Sequence, residues 1–144
     1  MIAGSIAIKG DIVRRDEHER NRRKVLNFGH TLGHAVESQS NYGVLHGEAI
    51  AIGMALEAEL AERNGIAKQG TASTIRDALT AANLPVDRPA TLDSKAVLAA
   101  TRVDKKARRG VVEYALPHCI GEMAGAESGW AVPISDAAVL EVLG

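Results

Sequence analysis

Apolar positions recur at helical spacing through most of this chain. Residues 5–15 carry Ile6, Ile8, Ile12 and Val13 and are predicted as a helix, followed by a polar break over 16–21. Residues 22–38 place Val25, Leu26, Leu32, Ala35 and Val36 at offsets that predict a second helix, interrupted by Gly29 and Gly33. Two glycines cost about 1 kcal/mol each in a helix interior relative to alanine, so they point to close approach of another backbone or a ligand, or to tight helix packing. Ser40-Asn41-Tyr42-Gly43 is a turn signal. Residues 46–64 form the longest helical pattern, with Gly65 as its C-terminal stop. Ile50, Ile52, Met54, Ala55 and Leu56 make it apolar on more than one side, as expected of a central helix.

Further helices are expected over 69–82, ending before Leu84-Pro85, over 93–101 with Asp93 as cap, and over 135–143 with Ser135 or Asp136 as cap. The stretch 103–110 is charged and ends in a glycine turn. Residues 111–116 alternate weakly, and Val111-Val112 followed by Pro117 favours one short strand there. No repeat or linker divides the chain, so the expected fold class is mainly α, with at most a short β element near 111–116. Met1 leads straight into the apolar segment Ile2-Ala3-Gly4-Ser5-Ile6 with no polar lead-in, as though the chain were the middle of something longer.

Composition narrows the classes without choosing among them. The 144 residues suffice for one domain with its own core, and 46% hydrophobic with 24% charged residues describe a globular chain. Seventeen Lys and Arg against eighteen Asp and Glu leave no overall field to attract nucleic acid. Arg20 to Lys24 is locally basic, which suits a phosphate or carboxylate pocket better than a polyanion. The lone Cys119 excludes an internal disulfide framework and fits a reducing cytoplasm. No apolar run reaches the roughly 20 residues of a membrane span, and the first residues lack the shape of a signal peptide.

The chemistry concentrates in Asn27-Phe28-Gly29-His30-Thr31-Leu32-Gly33-His34 and Leu45-His46-Gly47-Glu48. Three of the five histidines fall within 17 residues. On a helix His30 and His34 share one face, four residues apart, while His46 stands where the next helix begins. Such a geometry can hold a metal ion or an anionic substrate.

Lys9, Asp16-Glu17-His18-Glu19, Arg23, the run from Leu26 to Glu37, the run from Leu45 to Met54, and Asp104-Lys105-Lys106 together resemble the C-terminal domain of the 3-dehydroquinate synthase family. The resemblance covers nearly the whole chain, in the family's order and close to its spacing. It implies a multi-helix domain that works with an N-terminal NAD-binding α/β domain; no glycine-rich phosphate loop of that kind occurs here. It implies conversion of 3-deoxy-D-arabino-heptulosonate 7-phosphate into 3-dehydroquinate and phosphate, with NAD used and regenerated in each turnover. A zinc or cobalt ion, a sugar acid phosphate as substrate, a homodimer and a cytoplasmic location are implied with it, and neither nucleic acid nor membrane.

By the same resemblance His30 and His46 are metal ligands, and the family's third ligand is a glutamate of the other domain. His34 faces the substrate, where it can hydrogen-bond phosphate or move protons. Lys9 and Arg23 stand at the substrate carboxylate, Asn27 and Lys105 (Lys106 less so) at the phosphate, and Glu19 near the metal and water. Glu48 and Glu37 read as supporting carboxylates. Arg20, Arg22 and Lys24 read as solvated charge, and Cys119 and Trp130 carry no functional signal. Related sugar phosphate cyclases remain open as alternatives, as does a truncated fragment or binding module without activity of its own.

Overall fold

The computed structural model describes residues 2–15, 22–104 and 112–144. Helix α1 (Ile2–Arg15) leads to a 3-10 helix (Arg22–Asn27), then α2 (His30–Gln39), α3 (His46–Arg63), α4 (Thr71–Ala81) and α5 (Ser94–Asp104). Strands β1 (Glu113–Tyr114), β2 (Pro117–Cys119), β3 (Glu122–Met123) and β4 (Val132–Pro133) precede α6 (Asp136–Leu143). The fold is mainly helical, as expected. None of the helices among the described residues is long and apolar enough to cross a membrane.

α3 is the central element. α2, α4 and α6 pack on it, and α5 closes the bundle against α2 and α6. Leu32, Val36, Ile52, Leu60, Val97, Leu116 and Val139 form the interior and are essentially inaccessible. Burying one such aliphatic side chain stabilises the fold by about 1.5–3 kcal/mol relative to leaving it exposed. α1 lies against the 3-10 helix and leaves Ile6 and Ile8 in solvent.

The single helix expected over 22–38 is broken. Residues Arg22–Asn27 wind as a 3-10 helix, Gly29 adopts φ 82°, and α2 starts afresh at His30. A left-handed residue cannot continue a right-handed helix, and glycine adopts that region without steric cost. The smaller differences have similar causes. α4 starts at Thr71 rather than at 69 because Gly70 has φ 86°. α5 runs to Asp104 rather than 101, its start capped as expected by Asp93, whose Oδ1 accepts the Ala96 N–H at 2.8 Å. Ser135 caps α6 by accepting the Ala138 N–H.

Around the strand expected near 111–116 the structure has two small antiparallel pairs. Glu113 and Tyr114 face Pro133 and Val132, and Pro117–Cys119 pairs with Glu122–Met123 across a bulge. His118, within β2, ties this hairpin to the α3–α4 turn: its carbonyl accepts the Lys68 N–H and its Nδ1–H donates to the Ile66 carbonyl, both at 2.8 Å. The expected glycine turn at Gly110, together with Lys105, Lys106 and Glu19, lies outside the described residues.

Candidate metal centre and active site

His30 is the first residue of α2, His34 stands one turn further on, and His46 opens α3. The hairpin between the two helices is short and shaped by Asn41 and Tyr42, both at positive φ. The Glu37 carbonyl accepts the Tyr42 N–H at 3.1 Å and the Ser40 carbonyl accepts the Gly43 N–H at 3.0 Å, which sends the chain back into α3. α2 and α3 approach closely through glycine. A side chain at Gly33 would lie 2.9 Å from the Ala49 carbonyl oxygen, so the contact replaces side-chain bulk with backbone. Of the readings left open for Gly29 and Gly33, tight packing against another backbone is the one observed.

The result is a cluster of three imidazoles. One ring nitrogen from each of His30, His34 and His46 lies within 4.8 Å of the others. Ring centroids are 5.4 Å apart for His30 and His34, 6.3 Å for His30 and His46, and 5.6 Å for His34 and His46. His30 and His34 are half-buried and His46 is exposed.

Two of the rings are oriented by acceptors. His30 Nδ1 is 3.2 Å from the Phe28 carbonyl and His46 Nδ1 is 3.1 Å from Glu37 Oε2. A carbonyl and a carboxylate only accept, so each Nδ1 carries a proton, and in the neutral ring each Nε2 is left with its lone pair free for a metal. That is the arrangement in which metal-binding histidines are held by an outer partner. The donor set therefore fits a divalent transition metal. Nitrogens around tetrahedral zinc stand roughly 3.4 Å apart, given bonds of about 2.0–2.1 Å, somewhat closer than the 4.8 Å that bounds the three ring nitrogens here.

A cavity of about 670 Å³ opens beside the cluster. His34, Glu37 and Tyr42 line one side and Ala96, Ala99 and Ala100 of α5 the other. The three alanines lie on one face of α5, and their small side chains leave the space between α2 and α5 unfilled.

Of the other residues singled out in the sequence, Lys9 is exposed on α1, Arg23 is half-buried in the 3-10 helix, and Asn27 ends that helix half-buried. None of the three lines the cavity. Glu48 lies in the first turn of α3 and accepts the Leu45 N–H at 3.1 Å, a capping role.

Sequence reasoning missed Glu57. Its side chain is wholly buried in α3, where its carboxylate accepts the Gly29 N–H at 2.7 Å and the Leu32 N–H at 3.0 Å. The signal was a charged residue on the otherwise apolar helix face that carries Gly53 and Leu60. Burial of an unpaired carboxylate is costly, whereas two backbone donors at a helix N-terminus offset that cost.

Comparison with known proteins places the fold among the sugar phosphate cyclases. A 2-deoxy-scyllo-inosose synthase, solved with carbaglucose-6-phosphate, NAD+ and Co2+, superposes with a TM-score of 0.85 at 25% identity, covering 99% of this chain and 39% of that one. The 2-epi-5-epi-valiolone synthase of Streptomyces hygroscopicus, with NAD+ and Zn2+ bound, shares the fold at a TM-score of 0.71 and 24% identity, over 92% of this chain and 35% of that one. Residues 1–107 match the family described as 3-dehydroquinate synthase C-terminal, and the chain belongs to that family. The 3-dehydroquinate synthase of Synechocystis sp. is 41% identical over 144 residues, which is 99% of this chain and 37% of that enzyme. The chain thus spans little more than a third of that relative's length.

Proposed function

We propose that this chain is the metal- and substrate-binding domain of a 3-dehydroquinate synthase, spanning residues 1–144 and acting with a separate NAD-binding domain. The reaction is conversion of 3-deoxy-D-arabino-heptulosonate 7-phosphate to 3-dehydroquinate and inorganic phosphate. The observation that carries this reading is the gathering of His30, His34 and His46 beside a cavity large enough for a small sugar phosphate. The relatives' names and the ligands of the structural neighbours support it.

In this reading His30 and His46 hold the metal through Nε2, with the Phe28 carbonyl and Glu37 fixing their orientation. A zinc or cobalt ion bound there supplies Lewis acidity to a substrate hydroxyl, and NAD supplies reversible hydride transfer. His34, on the cavity wall, hydrogen-bonds the phosphate or passes a proton at its ring nitrogen. Arg23 offers paired donors to the substrate carboxylate, with Lys9 as a point charge beside it. Asn27 and Lys105 bind the phosphate, and Glu19 organises water near the metal. The 41% identity to a 3-dehydroquinate synthase, against 25% to a 2-deoxy-scyllo-inosose synthase, favours this branch over its cousins. The assembled enzyme is a homodimer, and the single cysteine suits a cytoplasmic setting.

The test is a calorimetric zinc titration of the chain beside His30→Ala and His46→Ala. Stoichiometric binding lost in both variants supports the metal assignment, and binding unchanged by either substitution overturns it. For the reaction, this chain is substituted for the matching segment of the Synechocystis enzyme and phosphate release is followed. Release that is lost in the His34→Ala chimera supports the reading, and an inactive chimera that binds zinc and NAD overturns it.

A further inference from the structure

We infer that Glu57 is a positioning residue for the histidine cluster, holding His30 in place through the backbone of α2. The inference rests on the metal reading of the cluster given above. α2 is preceded by Gly29, whose left-handed backbone stands at the cap position and offers no capping side chain. The first N–H groups of a helix have no acceptor within that helix. Here the missing acceptor comes from the neighbouring helix: Glu57 takes Gly29 N–H at 2.7 Å and Leu32 N–H at 3.0 Å.

The two clamped amides bracket the histidine. Gly29 immediately precedes His30 and Leu32 follows two residues later, so Glu57 fixes the chain on both sides of it. α3 carries Glu57, and α3 also opens with His46. One rigid helix therefore presents one imidazole directly and sets the location of a second through a buried carboxylate. Glu57 does not line the cavity, and the contacts that tie it to α2 are to backbone amides, so its effect on a metal passes through the α2 backbone. Polar partners that orient metal ligands typically contribute 10–100-fold in metal affinity.

The experiment is a Co2+ titration of the chain, read by visible absorption, for wild type, Glu57→Gln and Leu143→Ala. Glutamine keeps the volume but turns one acceptor into a donor facing an N–H, so at most one of the two clamps survives. Leu143→Ala opens the core in α6, away from α2, and controls for general loss of stability. The expected result is Co2+ affinity weakened about 10–100-fold in Glu57→Gln with an altered absorption band, and little changed in Leu143→Ala. Equal affinity in wild type and Glu57→Gln overturns the inference and leaves the metal reading standing. No Co2+ binding by the wild type overturns the metal reading and this inference with it.

Should Glu57→Gln fail to fold, the wild type alone decides. Coupling is reciprocal, so a clamp that supports the metal must be supported by it. Amide hydrogen exchange at Gly29 and Leu32 is expected to slow at least about tenfold at saturating Co2+. Exchange at Gly29 that is unaffected by bound Co2+ overturns the inference.

Discussion

Gly53 of α3 and Gly29, at the start of α2, meet backbone to backbone. A side chain on Gly53 would overlap the Gly29 carbonyl oxygen and lie 2.6 Å from the Gly33 nitrogen. This closeness brings the starts of the two helices near enough for His30, His34 and His46 to form one cluster. All the atoms in the way belong to backbone, which cannot yield as a flexible side chain can.

Gly53→Ala is therefore expected to destabilise the chain by roughly 3 kcal/mol or more, at the upper end for overpacking, and to abolish zinc binding. Gly10→Ala is the matched control. It lies within α1, where an added methyl meets nothing within 4 Å, and a gain of about 0.5–1 kcal/mol is expected. Urea denaturation of both variants checks the opposite signs, and parallel losses would refute the close-packing account.

What could be read in advance followed the length scale of the pattern. α3 was legible because 18 residues carry several turns of apolar spacing and end near a glycine. The break at Gly29 was not, since its causes lie elsewhere in the chain: the carboxylate of Glu57, 28 positions away, and the backbone around Gly53. Strands of two or three residues are too short for alternation to register, so β2, β3 and β4 went unseen. The histidine cluster was legible because i,i+4 spacing and a helix start survive translation into space. The Glu37 contact with His46 spans a turn whose path depends on positive φ at Asn41 and Tyr42, which no local pattern dictates.

Glu37 should matter to the metal and hardly at all to stability. Its partner His46 is 59% exposed, and pairs so solvated contribute about 0–1 kcal/mol. Glu37→Gln is expected to weaken zinc binding about 10–100-fold, because the His46 Nδ1–H loses its charged acceptor, while the melting temperature moves little. Calorimetry and thermal unfolding read the two effects separately. A large loss of stability with unchanged zinc affinity would reverse the assignment.

A second carboxylate of α3 acts on another helix. Glu62 Oε2 accepts the Ala72 N–H at 2.9 Å, at the start of α4 behind the left-handed Gly70. That bond first, then the Gly70 and Thr71 amides, hold the Glu62 carboxyl below its usual 4.5 against a partial opposing effect of burial. A carboxyl depressed in the folded state contributes stability above its unfolded value, and this is lost as pH falls through the folded value. Wild type should thus exceed Glu62→Gln in stability at pH 7, the gap closing as pH drops below about 4.5. Urea midpoints from pH 7 to pH 3 test it; a gap independent of pH would show that the charge plays no part.

At the alkaline end the controlling group is Tyr114. Its ring is 1% exposed in the core, and burial pushes the phenol well above its usual value. The negative charge of Glu57 adds to the rise, and the Thr101 hydroxyl offsets part of it. In the unfolded chain the phenol ionises near pH 10, so above that pH the unfolded state releases a proton that the folded state retains. Stability is then fully present below pH 10 and falls by up to ~1.4 kcal/mol per pH unit above it. Tyr114→Phe keeps the ring and removes the titration. All other groups are common to both proteins, so the diagnostic is the difference between wild type and variant, followed by urea denaturation from pH 8 to pH 11. A difference that moves steadily against the wild type above pH 10 is expected. Parallel curves would mean that the core admits the phenolate, which the burial of Tyr114 beside Glu57 argues against.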